Sequence, residues 1–389
     1  MLGPLKVLIF LVACSVFVAS RASALDLTIT YLERIIPQPP TLSNLDPKPE
    51  DLGRAGAELG IADISTTAKF LGHTYELNTV MVGEDEDIVK AAQGALSKSA
   101  IVVLNAPAND LLTIADLPES KDVLLFNAGS KDMTLREAEC RANLLHTIPS
   151  RPMLTDALAQ FGVKKRWSDW ALIKGPREND AKLADAFITS AKKFGLKITG
   201  QKDWTFEADL RRSAAQEVPL FTQDLEEHDL LVVADELNDF ARYVQYNTWL
   251  ARPLAGSTGI SPKAWSGSVE QHGAVQLQNR FREAHSRDMA SKDYAAMLAM
   301  TSIGEAVTRT KSDDAKVLKA YLLSEDFEVG GFKGRPLSFR DWNGQMRQPI
   351  PLSHPGAVVA LAPLEGFLHQ VNELDTLGTD RPNSTCTKF

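Results

Sequence analysis

The chain has 389 residues, with 50 acidic against 42 basic side chains, a formal charge of −8 and 44% hydrophobic residues. Acidity without a stripe of clustered lysine and arginine excludes nucleic acid and anionic membrane surfaces as partners, because phosphate contacts need such clusters. The length exceeds what one hydrophobic core serves and points to two lobes of about 150 to 200 residues each.

The first residues are Lys6, an apolar run from Val7 to Ala19, and Ala22-Ser23-Ala24, the pattern of a secretory signal peptide cleaved before Leu25. The run covers about 13 residues, whereas a membrane-spanning helix needs roughly 20. Leu11-Val12-Ala13-Cys14 has the look of a bacterial lipobox, so a lipid-anchored form stands beside the free one. Two basic residues, Lys6 and Arg21, and no acidic ones leave with the leader, which takes the formal charge from −8 to −10.

From Leu25 onward short strands alternate with amphipathic helices. Leu27–Leu32 reads as a strand, Pro37–Pro49 with its five prolines as an irregular loop, Asp51–Leu71 as a helix and Tyr75–Val82 as a strand. Ala100–Leu104 and Val123–Phe126 are compact apolar runs, suited to a parallel sheet covered on both faces. Asp87–Leu96 and Asp110–Leu117 supply crossover helices. A second series follows, with helices Pro152–Phe161, Asp180–Phe194 and Glu236–Tyr246 between strands Trp170–Lys174, Leu196–Thr199 and Leu230–Ala234. Val275–Arg287, Asp293–Thr310 and Asp314–Leu323 then read as consecutive helices, followed by strand-like pieces at Phe327–Phe332, Leu337–Arg340 and Val358–Leu361. The fold class is α/β.

With Cys14 gone, Cys140 and Cys386 remain, and an even count in an oxidising compartment predicts a disulfide between them. Nucleophile elbow, P-loop, H-E-x-x-H, C-x-x-C and dinucleotide fingerprints are all missing from the sequence, which argues against an enzyme. The seven histidines form no close pair, and the run Glu84-Asp85-Glu86-Asp87 lacks the spacing of a calcium loop. It complements a helix N-terminus instead. Neither a metal nor a cofactor is expected. The six tryptophans all fall beyond residue 160 and are candidate apolar walls for a ligand.

The opening strand Ile29-Thr30-Tyr31-Leu32-Glu33-Arg34, the helix Gly56-Ala57-Glu58-Leu59-Gly60-Ile61-Ala62-Asp63, the tract Phe332-Lys333-Gly334 with Leu337-Ser338-Phe339, and the order of elements together resemble the type I periplasmic binding proteins. These are the two-lobed solute receptors of ABC importers, related to leucine/isoleucine/valine-binding proteins. Gln276–Phe281, Trp342–Pro349 and Pro363–Gln370 further resemble the subgroup associated with PQQ-dependent alcohol dehydrogenase systems. The resemblance implies two doubly wound parallel-sheet lobes joined by a three-stranded hinge, with 25–146 and 278–334 in lobe one and 147–277 and 335–389 in lobe two. It implies a monomer in the periplasm that binds a small-molecule solute between the lobes and hands it to an ABC permease in the inner membrane. A ligand-sensing or accessory protein of the same fold is the alternative.

In such a fold the C-terminal ends of the strands face the cleft. The ligand-binding candidates are therefore Tyr31, Glu33, Arg34, Asn105, Ala106, Asn127 and Ala128 in lobe one, and Lys174, Arg177, Asp235, Glu236, Ser257 and Thr258 in lobe two. Where amino-acid receptors present glycine and hydroxyl residues after the third strand, this chain has Asn105-Ala106-Pro107-Ala108-Asn109. A standard amino acid is thus not the expected ligand.

Overall fold

The computed structural model describes residues 24–37, 48–206, 210 and 213–389. Residues 1–23 of the expected leader, with the lipobox-like segment, and residues 38–47 of the proline-rich loop lie outside the described residues.

The first lobe is built from β1 (Asp26–Arg34), α1 (Arg54–Leu71), β2 (Thr74–Val82), α2 (Ile88–Leu96), β3 (Ile101–Asn105), α3 (Ala108–Ala115), β4 (Leu124–Asn127) and β5 (Leu144–His146). Its strands are all parallel in the order β2-β1-β3-β4-β5. Strands β3 and β4 are buried along their whole length, which is why they read as unbroken apolar runs. Side chains at alternate positions build two separate cores. Ile29, Tyr31, Val103 and Phe126 face one way; Leu32, Leu104 and Leu125 face the other. The Asp87 carboxylate caps α2 by accepting from the Val89 and Lys90 amides.

The second lobe follows with α4 (Arg151–Lys165), β6 (Asp169–Lys174), α5 (Glu178–Lys193), β7 (Lys197–Asp203), α6 (Ala214–Thr222), β8 (Leu230–Ala234), α7 (Ala241–Val244) and β9 (Leu254–Gly256). Its parallel sheet runs β7-β6-β8-β9. The helix predicted over Glu236–Tyr246 shrinks to the single turn of α7. Asp235, buried at the end of β8, spends one carboxylate oxygen on the amides of Phe240 and Ala241, and Asn238 takes a positive φ, so the intervening residues form a turn.

The chain then returns to the first lobe through α8 (Ala274–His285), α9 (Ser291–Thr310) and α10 (Ala315–Leu322). Helix α9 lies against α1 at close range. A Cβ on Gly56 would stand 1.9 Å from the Asp293 carbonyl oxygen, and one on Gly304 would stand 2.5 Å from Ile64. Two antiparallel strands, Ile350–His354 and Ala357–Ala362, cover α4 on the second lobe.

Buried polar groups stitch the passages between the lobes. The Lys333 ammonium, fully buried, donates to the Ala264 carbonyl at 2.9 Å and to Gln348 Oε1 at 3.0 Å, and Gln348 Nε2 donates to the Thr147 carbonyl at 2.8 Å. Gln345 Nε2 donates to the carbonyls of His146 and Ile148. Trp265, Val269, Ala274, Leu337, Phe339 and Met346 pack into the first-lobe core, whereas Ile350 and Leu352 pack into the second.

The predicted disulfide is present: Cys140 and Cys386 are bonded, with Cα atoms 5.7 Å apart. It pins a tail that starts on the second lobe, where the Gly378 amide donates to Asp156 Oδ2, and ends on the first, where the Thr385 amide donates to Glu137 Oε2.

Candidate functional site

In an open parallel sheet the crevice for a ligand opens where the strand order reverses. That point lies between β1 and β3 in the first lobe and between β6 and β8 in the second. Tyr31, Glu33 and Asn105 stand at the first. The Tyr31 hydroxyl donates to Glu33 Oε2 at 3.0 Å, and Asn105 Nδ2 donates to the Tyr31 oxygen at 3.1 Å and the Leu52 carbonyl at 3.3 Å. Burial and the neighbouring Glu33 charge push the Tyr31 phenol well above its usual range. Burial also raises the Glu33 carboxyl, against the opposing pull of Tyr31, Lys292, Asn105 and Arg54. Gly53 closes over this cluster with φ of 95°. A Cβ there would sit 2.5 Å from the Tyr31 hydroxyl, so no other residue fits.

The side chains of the other first-lobe candidates are either engaged by other groups or apolar. Arg34 alternates to the opposite face of β1, where it pairs with Asp110 at 2.9 Å and donates to the carbonyls of Gly83, Glu84 and Glu86. Asn127 turns inward, accepting from the amides of Gly129 and Ser130 and contacting His146 Nδ1 at 3.0 Å. Ala106 and Ala128 are buried and bring no polar side chain.

In the second lobe, Asp235 and Glu236 follow β8. Asp235 is 1% exposed; burial raises its carboxyl in spite of the Ala241 and Phe240 amides, and its Oδ1 has no hydrogen-bond partner. Ser257 Oγ accepts from the Asp235 amide at 2.8 Å, joining two candidates directly. Thr258 instead donates to Gln245, Arg177 pairs with Asp239 at 2.7 Å, and Lys174 pairs with Asp203 at the end of β7. Asp180 organises this surface from below: fully buried, it accepts from the amides of Arg177 and Glu236.

Glu236 is where the lobes meet. Its carboxylate pairs with Lys131 of the loop after β4 at 2.8 Å and with Arg151 at the start of α4 at 3.1 Å. Asp132 extends the net to Lys182 of α5 at 2.9 Å and to Arg151 at 3.7 Å. Burial alone would raise the Glu236 carboxyl, yet Lys131 and Arg151 outweigh it and hold the group below the usual glutamate range. The two strand-end surfaces are therefore latched together.

Four residues of this site carry no signal at a strand end: Lys131, Asp132, Arg151 and Lys292. Lys292 begins α9, one position before Asp293, whose Oδ1 accepts from the Gly53 amide at 2.7 Å beside Tyr31 and Asn105. Its half-buried ammonium is within electrostatic range of Glu33, Lys131 and Glu236, and burial lowers its pKa.

Two open grooves lie elsewhere among the described residues. One of about 500 Å³ runs between α4, α5 and the tail segment Gly378–Asn383, but its lysines are already paired, Lys182 with Asp132 and Lys193 with Asp156. Another of about 510 Å³ sits at the edge of the second lobe around Tyr246 and Arg252. The strand-end cluster, where Glu33 and Lys292 lie within electrostatic range without an ion pair of their own, is the better candidate. Among the described residues no group of three His, Cys, Asp or Glu side chains could hold a metal ion, and no helix is long and apolar enough to cross a membrane. Trp170, Trp204 and Trp265 are buried packing residues, with Trp204 stacked on Phe240 and Trp265 on Tyr294.

No protein-family profile and no curated protein matches the sequence. Solved structures do match in shape. A periplasmic binding protein of Burkholderia mallei superposes with a TM-score of 0.66 at 16% identity, over 94% of this chain and 99% of its own. A branched-chain amino acid ABC transporter periplasmic ligand-binding protein of Burkholderia xenovorans gives 0.68 at 16% identity, over 86% and 95%. The chain has the fold of the type I periplasmic binding proteins. The leucine-, isoleucine-, valine-, threonine- and alanine-binding protein of Brucella ovis, in its closed conformation, also shares this fold, with a TM-score of 0.66 at 14% identity over 88% and 93% of the two chains. Lys131, after β4 of the first lobe, and Glu236, after β8 of the second, bridge the strand ends of the two lobes.

Proposed function

We propose that the chain is the substrate-binding component of an ABC importer, exported to the periplasm as a monomer, which captures a small solute between its lobes and presents it to an inner-membrane permease. The observation that carries this reading is the ion pair by which Lys131, at the strand ends of the first lobe, meets Glu236, at those of the second. Two surfaces joined in this way exclude water on closing and part on hinge motion. We place the second and third passages between lobes near Pro262–Ala264 and Met346–Ile350, a placement supported by the cores that the flanking side chains join. The segments Gln276–Phe281, Trp342–Pro349 and Pro363–Gln370 favour a ligand connected with PQQ-dependent alcohol oxidation. No bond chemistry is assigned to the chain.

The test is a thermal-shift screen of the purified protein against alcohols, organic acids, amino acids and quinone cofactors, with small-angle scattering on each hit. A bound solute raises the melting temperature by mass action. The reading predicts a hit that also compacts the protein and that Tyr31→Ala or Glu236→Ala weakens. A hit indifferent to both substitutions and to lobe separation refutes it.

A further inference from the structure

The crevice has a charge left over. Of the cations around it, Lys131 and Arg151 share Glu236, Lys182 holds Asp132, and Arg287 holds Asp51 and Asp293. Lys292 pairs with none of the described residues, although it is half-buried at the start of α9, next to Asp293, whose carboxylate accepts from the Gly53 amide, and within electrostatic range of Glu33 and Glu236.

The side chains after the third strand have little to offer an anion. Pro107 stands at the N-cap of α3 and has no N–H, and Ala106 and Ala108 have no donor side chain. Asn105 Nδ2 is spent on Tyr31 and Leu52, and the amides of Gly129 and Ser130 are spent on Asn127. Lys292 brings to this place a full positive charge that no ion pair engages. Glu33, the carboxylate within its range, is engaged by the Tyr31 hydroxyl and forms no ion pair with it. Closing two lobes over an ammonium without a counter-ion is unfavourable, since buried charges are stable only when paired.

Resting on the cleft reading above, we propose that the solute is a small organic acid and that its carboxylate pairs with Lys292 when the lobes close. Lys292 thereby selects acids over their neutral counterparts. Glu33, on the other side of the gap, favours a hydrogen-bond donor on the same ligand, as a hydroxy acid carries.

The test measures, by calorimetry on the full chain, the binding of glycolate, lactate, succinate and benzoate, each beside its primary amide. At least one acid is expected to bind at least tenfold more tightly than its amide. Lys292→Met should weaken that acid by about 30-fold or more, as expected when a charged hydrogen-bond partner is lost. Lys292→Arg should restore most of the affinity, and melting of the free variants confirms that both fold. A panel in which no acid binds at millimolar concentration overturns the proposal, as does an acid whose affinity Lys292→Met leaves unchanged. An amide that binds best and still compacts the protein in small-angle scattering overturns the proposal while leaving the cleft reading intact. An acid that binds without compaction, indifferent to Glu236→Ala, defeats the cleft reading itself.

Discussion

Replacing Glu236 by glutamine keeps the shape of the side chain and removes the charge that joins the lobes. Glu236 is 12% exposed, Arg151 7% and Lys131 28%, so the contacts at 2.8 and 3.1 Å are screened far less than a surface pair would be. The amide oxygen still accepts one hydrogen bond, and Arg151 keeps Asp132 at 3.7 Å. The loss should thus fall short of the 3–5 kcal/mol seen when a buried pair is broken outright, and we set it at about 2 kcal/mol. Arg151 lies in the same lobe as Glu236 and keeps its contact when the lobes part, so the share that shifts the closed-to-open ratio toward open is that of Lys131, at least about 1 kcal/mol or about 5-fold. Scattering of the ligand-free variant should show a larger radius of gyration than the wild type. A double-mutant cycle with Lys131→Met should return a coupling above about 1 kcal/mol. The pH dependence has a definite sign. Because Lys131 and Arg151 overcome burial and hold the Glu236 carboxyl below its usual range, its contribution is complete above the ordinary glutamate value of about 4.3 and disappears as pH falls through the lower folded value. The closed fraction should be flat from pH 8 to 5 and fall only in acid, with the glutamine variant lacking that fall. A variant as compact as the wild type, or a coupling near zero, refutes the latch.

Three other outcomes are expected. Burial pushes the Lys333 ammonium well below the usual lysine range, so the folded protein binds fewer protons than the unfolded chain and stability rises with pH toward about 10.4; Lys333→Met should flatten urea-derived stability by up to about 1.4 kcal/mol per pH unit in that window, and an unchanged slope contradicts it. Gly56→Ala drives a methyl group into the Asp293 backbone and should cost about 3 kcal/mol, read as a lower melting temperature by circular dichroism. Replacing both Cys140 and Cys386 by serine releases a loop of sequence separation 246, worth at most about 5 kcal/mol, and the urea midpoint of the variant should match that of the wild type under dithiothreitol.

The strands most legible in the sequence are those buried on both faces. Ile101–Asn105 and Leu230–Ala234 have no polar face to disguise them. Strand β5 is only Leu144–His146, too short to show a period, and the turn after β8 was hidden because one aspartate side chain, Asp235, replaces a helix's first turn of hydrogen bonds. The candidate site was legible where its residues stand at or just past the end of an obvious strand, as at Tyr31, Glu33, Asn105 and Glu236. Strand alternation explains the neighbours that point elsewhere: Arg34 lies one residue past Glu33 and so faces the helices α2 and α3. Lys131 and Lys292 had no such marker. One sits four residues beyond its strand, the other opens a helix 187 positions past Asn105, the cluster member nearest to it in sequence, and only the packing of α9 on α1 brings it there.

The bond between Cys140 and Cys386 turns most of the polypeptide into a sealed ring, and the whole second lobe is part of it. Two copies of a protein with jointed halves can trade those halves, each half docking on its neighbour's complement. Once the ring is sealed the trade is barred, because the tail that travels with one half is fastened to the other half of the same molecule. Only a chain still in its thiol form can enter such an exchange, and any pair made that way would be sealed crosswise, Cys386 of one copy to Cys140 of the other, and would run as a dimer on a non-reducing gel.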